Sequence, residues 1–205
     1  MSDEEEMLVD REEYLSHGVH IGTKAQNKSM EKYIFHVKKN QLAILNLDQT
    51  DERIRDAAKF LSRYDPENIL VVGRKEESVR PIEKFAETTG ADTFTGRFMP
   101  GTLTNPQSEN FREPEVVLVA DPEEDGQAVT EAVSAKIPVV GIADSENSTE
   151  NLDLVIPANN KGANSLSMVF YLLASQMKEQ ADEEANFELE EFKTEEQREE
   201  EEDEE

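Results

Sequence analysis

Residues 115–143 read EVVLVADPEEDGQAVTEAVSAKIPVVGIA, and this stretch decides the fold. EVVLVA (115–120) and IPVVGIA (137–143) are short apolar runs without the polar alternation of a half-exposed strand. Runs of this kind belong to strands buried on both faces. Between them, Gln127 to Lys136 has the spacing of a helix. Asp121-Pro122-Glu123-Glu124 supplies a cap, a proline at the first helical position and acids in the first turn. Strand, helix and strand in this order make a parallel pair, because parallel neighbours need a crossover.

The same unit recurs outward in both directions. NILVVG (68–73) is a further buried strand, followed by a helix, ESVRPIEKFAETTG (77–90), which Gly90 stops and in which Pro81 comes early enough to be tolerated. DTFTG (92–96) and LDLVIP (152–157) read as strands, and Gly162 to Gln180 as a last amphipathic helix. Asp51 to Tyr64 carries Ile54, Ala57, Ala58 and Leu61 at helical spacing, with Thr50 or Asp51 as N-cap. Ile34 to Val37 and Leu42 to Leu47 read as a β-hairpin turning at KKNQ. The expected architecture is a three-layer α/β/α sandwich on a mostly parallel, doubly wound sheet, with right-handed crossovers and an N-terminal hairpin.

The chain has 205 residues, with 47 acids against 21 bases and a formal charge of −26. The charge is uneven. Residues 181–205 hold 15 acids and 2 bases, whereas residues 14–47 hold 1 acid and 5 bases. The expected organisation is an acidic flexible N-terminus (1–13), one folded domain (14–180) and an acidic disordered tail (181–205). There is no cysteine, which excludes disulfide scaffolds, thiolate catalysis and cysteine-based zinc sites. No apolar run reaches the ~18 residues of a membrane span. The opening MSDEEEMLVDREE is acidic where a signal peptide is basic and then apolar, so the chain reads as soluble and cytoplasmic. Taken whole, so acidic a chain is a poor first candidate for nucleic acid, whose phosphates attract Lys and Arg.

A doubly wound sheet invites a search for phosphate-binding and catalytic devices. Gly-x-Gly-x-x-Gly and the Walker loop are absent, and the strand at 68–73 ends in a single glycine, Gly73-Arg74-Lys75-Glu76. Ser16-His17 and Asp144-Ser145 lack the context of a triad. Asp121-Pro122-Glu123-Glu124 reads either as helix capping or as a carboxylate cluster at the sheet edge. His17 and His20 have no third ligand spaced nearby. No catalytic residue, cofactor or metal ligand is assigned.

Three stretches suit RNA contact. Residues 17–39 set His17, His20, Lys24, Lys28, Lys32, Lys38 and Lys39 among Tyr33, Phe35 and polar amides, as an RNA-facing surface or an ordinary solvated one. The loop from Arg97 to Asn105 offers Arg97, Thr102, Thr104 and Asn105 for phosphate and 2′-hydroxyl contacts. Asn159-Asn160-Lys161, at the start of the last helix, suits an anion or simple capping.

Four ordered motifs also carry a family likeness. YLSHGVHIG (14–22), RFMPGTLTNP (97–106), PEVVLVADPEEDGQAVTEAVSAKIP (114–138) and IPANNKG (156–162) resemble signatures of the universal S-two family of small-subunit ribosomal proteins, in its archaeal form. The likeness covers about 14–178. It implies a flavodoxin-like domain on small-subunit rRNA near the head–body junction. Small-subunit rRNA and neighbouring ribosomal proteins would be its partners, and it implies no enzyme activity, no membrane and no obligate homo-oligomer. It also implies a cytoplasmic location within the ribosome, with the RNA contacts on 17–39, 97–106 and 159–161.

The acidity departs from that family's usual basic character. A cytoplasm near salt saturation reconciles the two, because salt screens phosphate attraction and favours acidic, hydrated surfaces. The charge therefore predicts an extreme halophile as source. A different expectation is an enzyme acting on a nucleotide or phosphosugar at the carboxyl edge of the sheet, a reading that rests on fold analogy.

Overall fold

A computed structural model describes residues 7–194 together with 197 and 198. Among the described residues seven strands are present: β1 (Ile34–Val37), β2 (Ala43–Leu45), β3 (Ile69–Gly73), β4 (Asp92–Thr95), β5 (Val116–Val119), β6 (Val139–Ala143) and β7 (Leu154–Pro157). Five α-helices accompany them: α1 (Arg11–Ser16), α2 (Leu47–Leu61), α3 (Glu76–Thr89), α4 (Gly126–Ala135) and α5 (Ala163–Gln180). β1 and β2 form the expected antiparallel hairpin. The other five strands form one parallel sheet in the order β4-β3-β5-β6-β7. From β3 the chain winds first to β4 and then back past β3 to β5, so the strand order reverses between β3 and β5. In a doubly wound sheet this gap at the strands' carboxyl ends is the usual ligand crevice.

The two faces are covered unequally. Ile69 and Val71 of β3 and Val116 and Leu118 of β5 pack into a cluster with Ile54 and Leu61 of α2, Ile82 and Phe85 of α3, and Phe170 of α5. Their alternates, Leu70, Val72, Val117 and Val119, face the other way against Ala128, Val129 and Ala132 of α4. That second face has a single helix. Phe98 and Leu103, from the loop after β4, complete its cover and are nearly buried. The loop is low in acids because part of it lies over the sheet, where an unpaired charge would be costly.

Three expected boundaries shift, and in one of them α4 starts at Gly126 with Asp125 as its N-cap, so Asp121, Pro122, Glu123 and Glu124 precede the helix. The helix expected from Asp51 begins at Leu47, and its N-cap is Asn46, whose carboxamide oxygen accepts the Asp48 amide at 3.0 Å. Thr50 is instead buried in the helix and donates to the Pro157 carbonyl at 2.6 Å. Asp51 is an internal anchor that accepts from the Tyr14 hydroxyl at 2.8 Å and the Leu8 amide at 2.8 Å, and pairs with Arg55 at 3.0 Å. These contacts pin the segment 7–14 onto α2, where flexibility was expected up to residue 13.

The expected disordered tail differs over its first part. Leu189–Phe192 forms a 3-10 turn, and Phe192 is 0% exposed. The Phe192 ring lies 5.8 Å from Tyr171 and 5.7 Å from Phe187. Glu191 pairs with Lys84 of α3 at 2.7 Å. Sparse aromatics thus hold the segment to the core although acids dominate its composition. Residues 1–6, 195–196 and 199–205 lie outside the described residues.

Candidate functional site

The carboxyl edge of the sheet is where a doubly wound fold would carry its chemistry, and here it is filled by its own side chains. Asp121, at the end of β5 and 2% exposed, accepts from Lys75 Nζ at 2.6 Å and Lys161 Nζ at 3.3 Å. It also accepts from the Glu123 amide at 3.0 Å and from Asn147 Nδ2 at 3.3 Å. Burial alone would raise its pKa, but the hydrogen bond and charge of Lys75, with Lys161 behind it, hold the carboxyl below its ordinary value. Lys161 also pairs with Glu146 at 2.8 Å. Burial opposes its charge, yet these carboxylates keep its pKa well above the usual lysine value. One cation from the β3 end and one from the β7 end thus meet on a carboxylate between them.

Two neighbouring acids behave differently. Burial pushes Asp125 up to about 7, although it accepts the Arg74 and Asp121 amides at 2.9 and 3.0 Å. Burial likewise pushes Asp144 up to about 6. Gly73 belongs to the same region, but its role is packing. A Cβ there would press into Ile82 and come within 2.5 Å of Ser78 Oγ. The first turn of α3 therefore occupies the space that a phosphate takes in nucleotide-binding folds.

The N-terminal segment locks onto this edge. The Thr23 amide donates to Ser145 Oγ at 2.9 Å, and the Asn27 amide to the Ser145 carbonyl at 2.7 Å. A Cβ on Gly22 would lie 2.8 Å from Ser145 Oγ and 3.0 Å from the Ala43 carbonyl, so the close approach requires glycine. The Asn159 amide donates to the Val19 carbonyl at 3.0 Å, and its carboxamide to the Gly18 carbonyl at 3.1 Å. The structure thus brings 17–30 and 159–161 together. Arg97 follows β4, at the opposite end of the sheet.

The candidate contact residues divide accordingly. Lys24, Lys28, Lys38, Lys39 and Arg97 are exposed, and none has a carboxylate partner among the described residues. Lys32 is exposed over the Tyr33 ring at 4.8 Å, and His36 is exposed edge-on to Phe35. His17 is half-buried, with Nδ1 2.9 Å from the Glu13 carbonyl oxygen. His20 is half-buried, and burial together with the charge of Lys38 lowers its pKa. Its Nδ1 is shut off from solvent without a well-formed hydrogen bond, the Tyr14 carbonyl only weakly favouring the charged ring.

Other candidates work inside the fold. Asn160 is 1% exposed, and its amide donates to the Ile142 carbonyl and to Asn147 Oδ1, both at 2.9 Å. Asn159 Oδ1 accepts the Lys161 and Gly162 amides at 2.9 and 3.2 Å, so the turn caps itself. Thr102 is fully buried and donates to the Met99 carbonyl at 2.6 Å. Thr104 and Asn105 are exposed, and Thr104 also donates to Glu131 at 3.3 Å. Sequence reasoning missed Glu131 as the anchor of this loop. Its carboxylate accepts the Gly101 and Leu103 backbone amides at 2.7 and 3.0 Å and Gln127 Nε2 at 2.7 Å. Lys75 and Asn147 were missed as well, because no local pattern announces a partner some 26 to 46 residues away.

Comparison with known proteins gives a consistent result. The family model described as ribosomal protein S2 matches residues 14–110 and 107–180. The small ribosomal subunit protein uS2 of Methanococcus maripaludis strain C6 is 48% identical over 174 residues, 85% of this chain and 78% of that relative. The protein of the same name from Haloquadratum walsbyi is 46% identical over 196 residues, 95% of this chain and 70% of that relative. A second M. maripaludis strain has one that is 46% identical over 195 residues, 94% of this chain and 88% of that relative.

Proposed function

We infer function from one premise: this chain belongs to the ribosomal protein S2 family. It is a structural constituent of the small ribosomal subunit, a ribonucleoprotein component serving translation, with rRNA and other ribosomal proteins as its partners. The family is not an enzyme class. Among the described residues no helix is long and apolar enough to cross a membrane.

The finer reading is that the chain seats on small-subunit rRNA near the head–body junction, as one copy in the cytoplasmic ribosome, and makes contact through the face around 17–39. The observation that carries this is the set of exposed lysines, Lys24, Lys28, Lys38 and Lys39, without carboxylate partners among the described residues of a chain with 47 acids. Arg97 adds a contact at the far end of the sheet edge. Asn159 and Ser145 support the surface from within, through hydrogen bonds with Gly18, Val19, Thr23 and Asn27. The charge of −26, and the 46% identity to a Haloquadratum walsbyi relative, favour a high-salt cytoplasm. The filled crevice at Lys75, Asp121 and Lys161 counts against a nucleotide or phosphosugar enzyme.

The test is binding of purified protein to small-subunit rRNA in high KCl, comparing the parent with Lys24→Gln/Lys28→Gln/Lys38→Gln/Lys39→Gln. The reading expects markedly weaker binding by the variant at an unchanged unfolding midpoint. Equal binding would remove this face from the interface.

A further inference from the structure

A slot of about 290 Å3 lies between the β1–β2 hairpin and the start of α2. Ile44 and Leu45, both nearly buried, form its floor. Phe35 and Leu15 line it too, and they are 70% and 45% exposed. Two large apolar side chains opening onto one slot mark a surface with an occupant. The exposure of Phe35 is built into the hairpin. Ile34 pairs with Leu45 and His36 with Ile44, so Phe35 is the extra residue of a β-bulge. Bulges re-aim a side chain out of the ladder.

The charge around the slot indicates the occupant. Lys38 lines it and Lys39 follows, while the one carboxylate among its described lining residues, Asp48, is already paired with Arg11. His20 also lines it, and burial with Lys38 favours the neutral ring; its Nδ1 is shut off from solvent, which leaves Nε2 to meet a base edge. An exposed aromatic with lysines three and four residues along has the chemistry of a stacking platform for single-stranded nucleic acid. An apolar peptide side chain would fill the slot but leave Lys38 and Lys39 unused.

We propose that this slot receives one unpaired RNA base, stacked on Phe35, with the adjoining phosphate on Lys38 and Lys39. The proposal rests on the RNA-binding reading and deepens it. Stacking keeps its value where salt removes most phosphate attraction, so one anchored base gives a strongly acidic chain a hold on RNA that does not depend on net charge.

The chain contains no tryptophan, so Phe35→Trp installs a single indole reporter. Its fluorescence is followed during titration with oligoadenylate and oligouridylate at about 0.1 M and about 3 M KCl. Quenching that persists at high salt is the expected result. Phe35→Ala should weaken oligonucleotide binding about 5- to 150-fold. Phe35→Tyr should retain it, with all variants unfolding at the parent's midpoint. Lys38→Gln should weaken oligonucleotide binding more at low salt than at high salt. No quenching, by protein that still binds intact small-subunit rRNA, overturns the slot assignment and leaves the RNA-binding reading standing. Loss of both overturns both. A blue shift produced by small-subunit proteins without RNA would assign the slot to a protein side chain and overturn the proposal.

Discussion

Lys75 Nζ lies 2.6 Å from Asp121 Oδ2, across the gap where the strand order reverses between β3 and β5. The pair closes a crevice that this architecture usually leaves for a ligand, and Lys161 braces the same carboxylate from the β7 side. Asp121→Ala would leave both ammonium groups beside a nearly buried site. The expected loss is about 3 kcal/mol in urea unfolding, at the lower end for broken buried pairs because both lysines are partly exposed. Lys75→Met should cost less, since Lys161, the Glu123 and Glu124 amides and Asn147 Nδ2 remain as donors to Asp121. An unchanged midpoint for Asp121→Ala would show that the network contributes nothing to stability.

The buried acids set a pH dependence of definite sign. Asp144 and Asp125 are pushed up to about 6 and about 7, so the folded state binds protons that the unfolded state has released. Their contribution is complete below about pH 4 and is lost as pH rises through those values. Stability should therefore fall between about pH 4 and pH 7, on the order of 1.4 kcal/mol per pH unit for each extra proton held. Asp144→Asn should flatten the slope between about pH 4 and pH 6. An identical slope in the variant would exclude Asp144 as its source.

Glu131 has the opposite sign. Burial favours its neutral form, but Gln127 and the Leu103 and Gly101 amides outweigh it and lower its pKa. Its support is present above the ordinary glutamate pKa and fades as pH falls through the lowered folded value. Glu131→Gln turns one acceptor towards amide donors and should cost about 1–3 kcal/mol. Amide exchange at Gly101 and Leu103 should quicken first, since both donate to Glu131. Unaltered exchange there would mean that the loop is held by Phe98 and Leu103 alone.

The sequence was most legible where physics is local. NILVVG, EVVLVA and IPVVGIA showed themselves as strands because burial on both faces removes polar alternation. The start of α2 was misread because Thr50 and Asp51 look like caps, whereas their groups are used by Pro157, Tyr14 and Leu8. Phe192 was hidden by its acidic neighbours, and its partner Tyr171 lies on another element. In the site, the basic stretch was visible as a local charge excess. The inward roles of Asn160, Lys161 and Thr102 were not, because each depends on contacts made only when the chain folds.

Salt should stabilise this protein more than it does a chain of ordinary charge. At −26 the folded state carries self-repulsion that screening relieves, with a Debye length falling from about 10 Å at 0.1 M to about 3 Å at 1 M. The unfolding midpoint should rise steeply between about 0.1 M and about 3 M KCl, and assembly into subunits should need the upper range. Full stability and assembly at about 0.1 M KCl would reject the high-salt account.

The most direct test of the central claim is sedimentation of a native lysate in high KCl, with the protein detected across the gradient. A structural constituent of the small subunit should follow the small-subunit RNA peak in near-equal amount and leave it when the RNA is digested. Protein found only at the top of the gradient, with none on the small subunit, would contradict the account.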